Sequence, residues 1–171
     1  MKSLAYQELE TNPFFDLETY MLLSGVKRMD GEKARQLETD WNRFKDYLRA
    51  YRLGDKKGYL LIYLDENFEQ ELDSIQEKDP DHGENLTILA QTMIMSLMQD
   101  LLPEAGTSGC APLPEPNKIL KRSLAKLDLE YSNAGNLSRK FAVITPLPYT
   151  GGCEQCFKKG SCLKRNMLNS N

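Results

Sequence analysis

The first 109 residues of this 171-residue chain contain no cysteine. Its only histidine, His82, sits in the polar stretch Asp79-Pro-Asp-His-Gly83. There it reads as an exposed turn residue rather than a general base. No G-x-G-x-x-G or G-x-x-x-x-G-K-[ST] pattern occurs, which excludes the standard phosphate cradles. Ser123, Ser132 and Ser138 lack a nucleophile elbow. No catalytic residue is assigned, and the balance is against an enzyme. The start of the chain, Met1 to Glu8, has no apolar segment of the kind a signal peptide carries. The densest apolar stretch, Leu86 to Leu102, is interrupted by Thr87, Gln91, Thr92, Ser96, Gln99 and Asp100. It is too short and too polar to span a bilayer. These absences predict a soluble cytoplasmic protein with no membrane role.

What is present is a set of four cysteines, all within the last 62 residues: Cys110, Cys153, Cys156 and Cys162. Four thiolates are the full ligand set of one tetrahedral metal or one iron–sulfur cluster. In a cytoplasmic chain such a group points to metal or redox chemistry before disulfides. Cys153 and Cys156 form a C-x2-C turn that lets two thiolates face one metal, and Gly151 and Gly152 allow close backbone approach. Cys162 follows past Gly160, and Cys110 lies on a separate proline-flanked loop. Structural zinc usually uses two paired knuckles. Here one pair and two single cysteines occur, a pattern more typical of iron–sulfur ligation, so a four-iron four-sulfur cluster is expected ahead of zinc. A third reading makes Cys153 and Cys156 a thiol–disulfide switch, although no thioredoxin-like βαβ pattern surrounds them.

The spacing C-x2-C-x5-C with one distant cysteine resembles the iron–sulfur staple of RecB-type nuclease domains. The resemblance covers only Cys110, Cys153, Cys156 and Cys162. It implies a cluster that ties the first cysteine to the last three. The nuclease pattern also has a Glu-x-Lys element between the first and second cysteines. This chain has only Glu115, Asp128 and Glu130 there, so nuclease activity is not carried over. The same C-x2-C-x5-C is similar to the cysteine motif of the molybdenum-donor proteins of nitrogenase cofactor assembly. Their further cysteine falls at Pro148 here.

The net charge of −3 is unevenly spread. Residues 1–109 hold 12 Lys and Arg against 21 Asp and Glu, and residues 110–171 hold 10 against 4. The basic half is the cysteine half. Its cations can offset the charge of an anionic thiolate cluster, or they can meet an acidic partner or nucleic acid. The contact set for a partner is Lys118, Lys121, Arg122, Lys126, Lys158, Lys159, Lys164 and Arg165. Aromatic interleaving is thin, with Tyr131, Phe141, Tyr149 and Phe157, so base stacking has little support. Together these features predict an iron–sulfur protein serving electron transfer or the maturation of a metalloenzyme, with a protein partner. The alternative is a zinc-stapled binding module whose basic lobe meets nucleic acid or an acidic protein.

Periodicity supplies the frame. A short helix is expected around Phe15–Leu23. Asp30 caps a long one whose apolar stripe runs Ala34, Leu37, Trp41, Phe44, Leu48 and Tyr51, ending before Gly54. Gly58 to Leu64 reads as a buried strand. Asp65 caps a helix that stops at Asp79-Pro80. A third helix, from about Glu84 to Pro103, is apolar on most sides and is the expected central helix. Its methionines Met93, Met95 and Met98 read as packing rather than metal ligands. A Gly- and Pro-rich boundary follows, Pro103 to Pro116. Beyond it come a basic helix at Asn117–Lys126, a short strand at Leu127–Tyr131, a turn at Asn133–Asn136 and a strand within Arg139–Thr145. The fold class is α+β: a mostly helical domain with a small sheet and a cysteine-stapled C-terminal lobe. The organisation is a mainly helical acidic region, residues 1–105, with one buried strand, and a basic Cys-rich lobe, residues 106–171, packed on it as one compact domain.

Overall fold

A computed structural model describes residues 2–108, 111–149 and 151–162. The fold is α+β. In chain order the described elements begin with β1 (Tyr6–Glu8), α1 (Leu17–Ser24), α2 (Gly31–Phe44), β2 (Leu48–Gly54) and β3 (Gly58–Leu64). They continue with α3 (Glu66–Lys78), α4 (Pro80–Leu101), α5 (Lys118–Ala125) and β4 (Ala142–Leu147). The strands make one antiparallel sheet in the order β1-β2-β3-β4. Thus β4, from the basic part of the chain, completes the sheet begun by the acidic part.

Alternation decides what each face of the sheet meets. Leu48 and Ala50 of β2 and Leu60, Ile62 and Leu64 of β3 point to one side, against α1–α4. Leu53, Leu61 and Tyr63, with Ile144 of β4, point to the other side, against Leu120 and Leu124 of α5 and against Leu129 and Tyr131. The first core is the larger and holds Trp41, Phe44, Phe68 and Tyr20, each nearly or fully buried. As its composition predicts, α4 is its centre: Leu86, Leu89, Ala90, Met93, Leu97 and Met98 are all buried. The fold therefore has three layers, helices on one face and α5 with irregular segments on the other.

Asp side chains start the helices. Asp16, Asp30, Asp65 and Asp79 each accept a backbone N–H from the first turn of α1, α2, α3 and α4. A carboxylate there satisfies orphan donors and meets the positive end of the helix dipole. Asn117 does the same for α5, accepting from Leu120 N–H at 2.9 Å.

Four local expectations are corrected. The long helix expected through Tyr51 ends at Phe44, and after a 3-10 turn at Lys45–Tyr47 the chain becomes β2. The 3-4 stripe continues into residues whose alternation serves a strand equally well, and the apolar run of β3 needs an antiparallel partner. The hairpin is closed by Gly54 (φ +86°) and Gly58, where a Cβ would stand 1.7 Å from the Leu53 carbonyl oxygen. Pro80 does not merely stop α3. It opens α4, with Asp79 as the cap between the two, so His82 is helical and not in a loop. Proline is favoured at that first position because its missing N–H has no intrahelical acceptor. Leu127–Tyr131 forms no strand, only an isolated bridge between Tyr131 and Leu137. Finally β4 runs through Pro146 to Leu147, which an edge strand tolerates.

Candidate metal centre

Cys153 opens a 3-10 turn, Cys153–Gln155, and Cys156 follows it directly. The Cys156 N–H donates to the Cys153 carbonyl at 3.2 Å, which closes the turn. Gly151 enters it at φ +135°, a conformation that L side chains rarely adopt, so the glycine before the cysteines is needed there. Two further turn bonds, Lys159 N–H to Cys156 C=O and Ser161 N–H to Lys158 C=O, both 3.1 Å, carry the chain to Cys162. Cys153 is exposed, Cys156 and Cys162 are half-buried, and all three are free thiols.

Cys156 is the anchor of this lobe. Its Sγ accepts the Leu113 N–H at 3.3 Å. One residue on, the Phe157 N–H donates to the Leu113 carbonyl at 2.8 Å. Leu113 thus has both backbone groups bonded to the C-x2-C turn, and it stands three residues after Cys110 in the sequence. Beneath it the Tyr131 hydroxyl donates to the Pro114 carbonyl at 2.8 Å. The pKa of Tyr131 is pushed up to about 12, mainly by burial and next by its electrostatic interaction with Cys156. Phe157 lies over Gly135, where a Cβ would come within 3.2 Å of the ring. Lys158 Nζ donates to Asn136 Oδ1 at 2.8 Å. The cysteine turn is therefore seated on the Ser132–Leu137 turn.

The donor set suits a soft metal, since the side chains offered are thiols. Among the described residues, however, no three His, Cys, Asp or Glu side chains converge within reach of one ion. Cys153 and Cys156 share a turn, Cys162 follows on the same loop, and Cys110 lies outside the described residues.

Of the basic set, Lys118 and Arg122 are exposed on α5 and Lys126 is exposed at its C-cap, while Leu120, Ser123 and Leu124 are buried. Lys121 donates to Asn133 Oδ1, and Lys159 reaches the Glu154 carbonyl at 3.5 Å. Lys164 and Arg165 lie outside the described residues. Ion pairs form elsewhere: Arg139 with Glu69, Lys140 with Asp73, Arg49 with Asp65 and Arg43 with Glu71.

Sequence reasoning missed one polar pair. Asp40 of α2 is 3 % exposed, and its Oδ2 lies 2.9 Å from His82 Nε2 while its Oδ1 accepts from Gln36 at 3.3 Å. Nearby Tyr20 is fully buried and donates to Asn85 Oδ1 at 3.3 Å. The Tyr20 hydroxyl is raised above the ordinary tyrosine pKa by burial, then by Glu84 and Asp40. The signal was available: with Asp79 as a cap, His82 and Asn85 fall on one face of α4, and Gln36 and Asp40 are four apart on α2.

Comparison with models of known protein families, with curated proteins and with solved structures finds no match for this chain.

Proposed function

We propose that Cys110, Cys153, Cys156 and Cys162 are the ligands of one iron–sulfur cluster, and that the protein serves electron transfer or the maturation of a metalloenzyme. The observation that carries this reading is the pair of hydrogen bonds joining Leu113 to the Cys156–Phe157 segment. They hold Leu113, three residues after Cys110 in the sequence, against the C-x2-C turn, which supports reading the four cysteines as one ligand set. A backbone N–H aimed at Sγ stabilises the thiolate form and tunes a cluster's potential. The bound cluster would supply a one-electron couple or a staple for the lobe. This chain's residues would provide the four thiolates and the Leu113 amide. Metal binding is coupled to folding, so binding would bring the three described cysteines, which do not converge here, into one site. Anaerobic loading with ferrous iron and sulfide should give visible charge-transfer absorbance, lost in Cys156→Ala and in Cys110→Ala. Absorbance undiminished from the unsubstituted protein in either variant would overturn the assignment.

A second reading has one observation of its own. Lys118, Arg122 and Lys126 lie exposed along one helix, with half-exposed Phe157 on the adjacent lobe. A zinc-stapled lobe could present these cations to nucleic acid or an acidic protein. Binding to a mixed-sequence oligonucleotide should then weaken steeply with salt. No binding at low salt removes the nucleic-acid version.

A further inference from the structure

A cleft of about 700 Å³ opens beside the cysteine turn at the tip of the β2–β3 hairpin. Five segments far apart in the sequence converge on it: the N-terminal arm, the hairpin, the start of α5, the end of β4 and the C-x2-C turn, which contributes Gln155. Its volume lies in the range of small-ligand sites.

The walls are apolar and the rim is charged. Leu4, Tyr59, Pro114, Ile119, Pro146 and Leu147 form the walls. Ile119 is left 41 % exposed by the fold, a cost that a bound apolar body would remove. Lys57 and Lys118 stand at the rim against one carboxylate, Glu115. The amides of Lys118 and Ile119, the first two of α5, have no intrahelical acceptor and face the positive end of the helix.

The frame is rigid. Gly54 and Gly58 fix the hairpin that presents Lys57, since neither position has room for a Cβ. The Leu4 N–H donates to the buried Ser123 Oγ at 2.8 Å and pins the arm to α5. Asn117 joins cap and wall, with Nδ2 3.4 Å from the Tyr59 hydroxyl.

We propose that this cleft binds an amphipathic organic anion, its acid group between Lys57, Lys118 and the start of α5 and its apolar body along Tyr59, Pro146 and Leu147. The cations and the free amides require an anionic head, and the walls require an apolar body. This inference does not depend on the cysteines being cluster ligands.

The test uses the full chain and anilinonaphthalene sulfonate, an aromatic anion that fluoresces when its rings leave water. One saturable site is expected. Dodecanoate should displace the probe, and neutral dodecanol should compete far less well. Replacing both lysines, Lys57→Glu with Lys118→Glu, should weaken binding by at least about ten-fold. Lys78→Glu, at the exposed end of α3 and outside the cleft, should leave it unchanged. Ile119→Trp should block the cleft sterically while circular dichroism stays the same. Equal affinity in the double-charge variant, or equal competition by dodecanol, overturns the proposal. So does retention by anionic vesicles without displacement of the probe by dodecanoate, which would assign the two lysines to a lipid surface.

Discussion

On one face of the sheet, α1–α4 close over a continuous core built around Trp41, Phe44, Phe68 and the α4 stripe. On the other, a two-turn helix, the Tyr131–Leu137 bridge and the cysteine turn cover a smaller core around Leu61, Leu120, Leu124 and Tyr131. The first layer is made of capped helices that satisfy their own backbone. The second depends on single contacts between irregular segments: Tyr131 to Pro114, Leu113 to Cys156, Lys158 to Asn136. Irregular chain costs ordering entropy without the return of a regular ladder. A layer with a small core gains most from a metal that fixes several points at once. Cys153, Cys156 and Cys162 lie in the turns that cover this second layer, and Cys110 lies outside the described residues.

Substitutions can break the comparison, starting with the largest effect. Trp41→Ala empties the middle of the helical core and should cost about 3–5 kcal/mol, read as a lower midpoint in urea. Leu124→Ala, in the smaller core, should cost about 2–4 kcal/mol. Hydrogen exchange should show its opening confined to β4, α5 and the cysteine turn. If Leu124→Ala instead loosens α2 and α4 equally, the two layers are one cooperative unit.

Alkaline pH should strike the second layer first. Tyr63 and Tyr131 both belong to its core, and both have their pKa pushed up to about 12, chiefly by burial. The unfolded chain releases these protons near pH 10, the ordinary tyrosine value. Stability from the two groups is therefore complete below pH 10 and is lost as pH rises from 10 to about 12. Each should contribute roughly 1–3 kcal/mol over that window. Tyrosinate absorbance followed against exchange in α5 checks it. Loss of the helical layer before the second layer would reverse the ordering proposed.

His82→Ala tests the tie within the first layer. It leaves the Asp40 carboxylate buried with only Gln36 as donor. A cost of about 1–3 kcal/mol is expected, reduced in an Asp40→Asn background. At the small end, Cys156→Ala in metal-free protein removes one acceptor for the Leu113 amide. It should cost no more than about 1 kcal/mol. A much larger loss without metal would mean that the thiol is part of the core rather than a ligand in waiting.

Much of the frame was legible in the sequence because caps and breakers are local. Asp30 and Asp65 announced their helices, and the run Gly58–Leu64 announced its strand. Errors arose where a local signal had two physical meanings. Leu48 and Tyr51 continue the helical stripe of α2 yet lie in β2, and pairing with β3 decided between helix and strand. Pro80 can end one helix or begin the next, and the Asp79 cap decided. β1 was illegible because its three residues are all exposed and owe their conformation to pairing with β2 alone. The cysteines were visible as a set. The contact that draws Leu113 to Cys156 was not, since it joins residues 43 apart through one backbone amide. The cleft was invisible for the same reason, its walls coming from five separate segments.

The most direct test of the central claim is to measure iron, acid-labile sulfide and zinc per chain on protein purified and reconstituted without oxygen, alongside the four single Cys→Ala variants. The account predicts about four iron and four sulfide per chain, falling sharply in each variant. No iron or sulfide, with all four thiols freely alkylated, contradicts it. One zinc and no sulfide would also contradict it and leave the metal as a staple for the second layer.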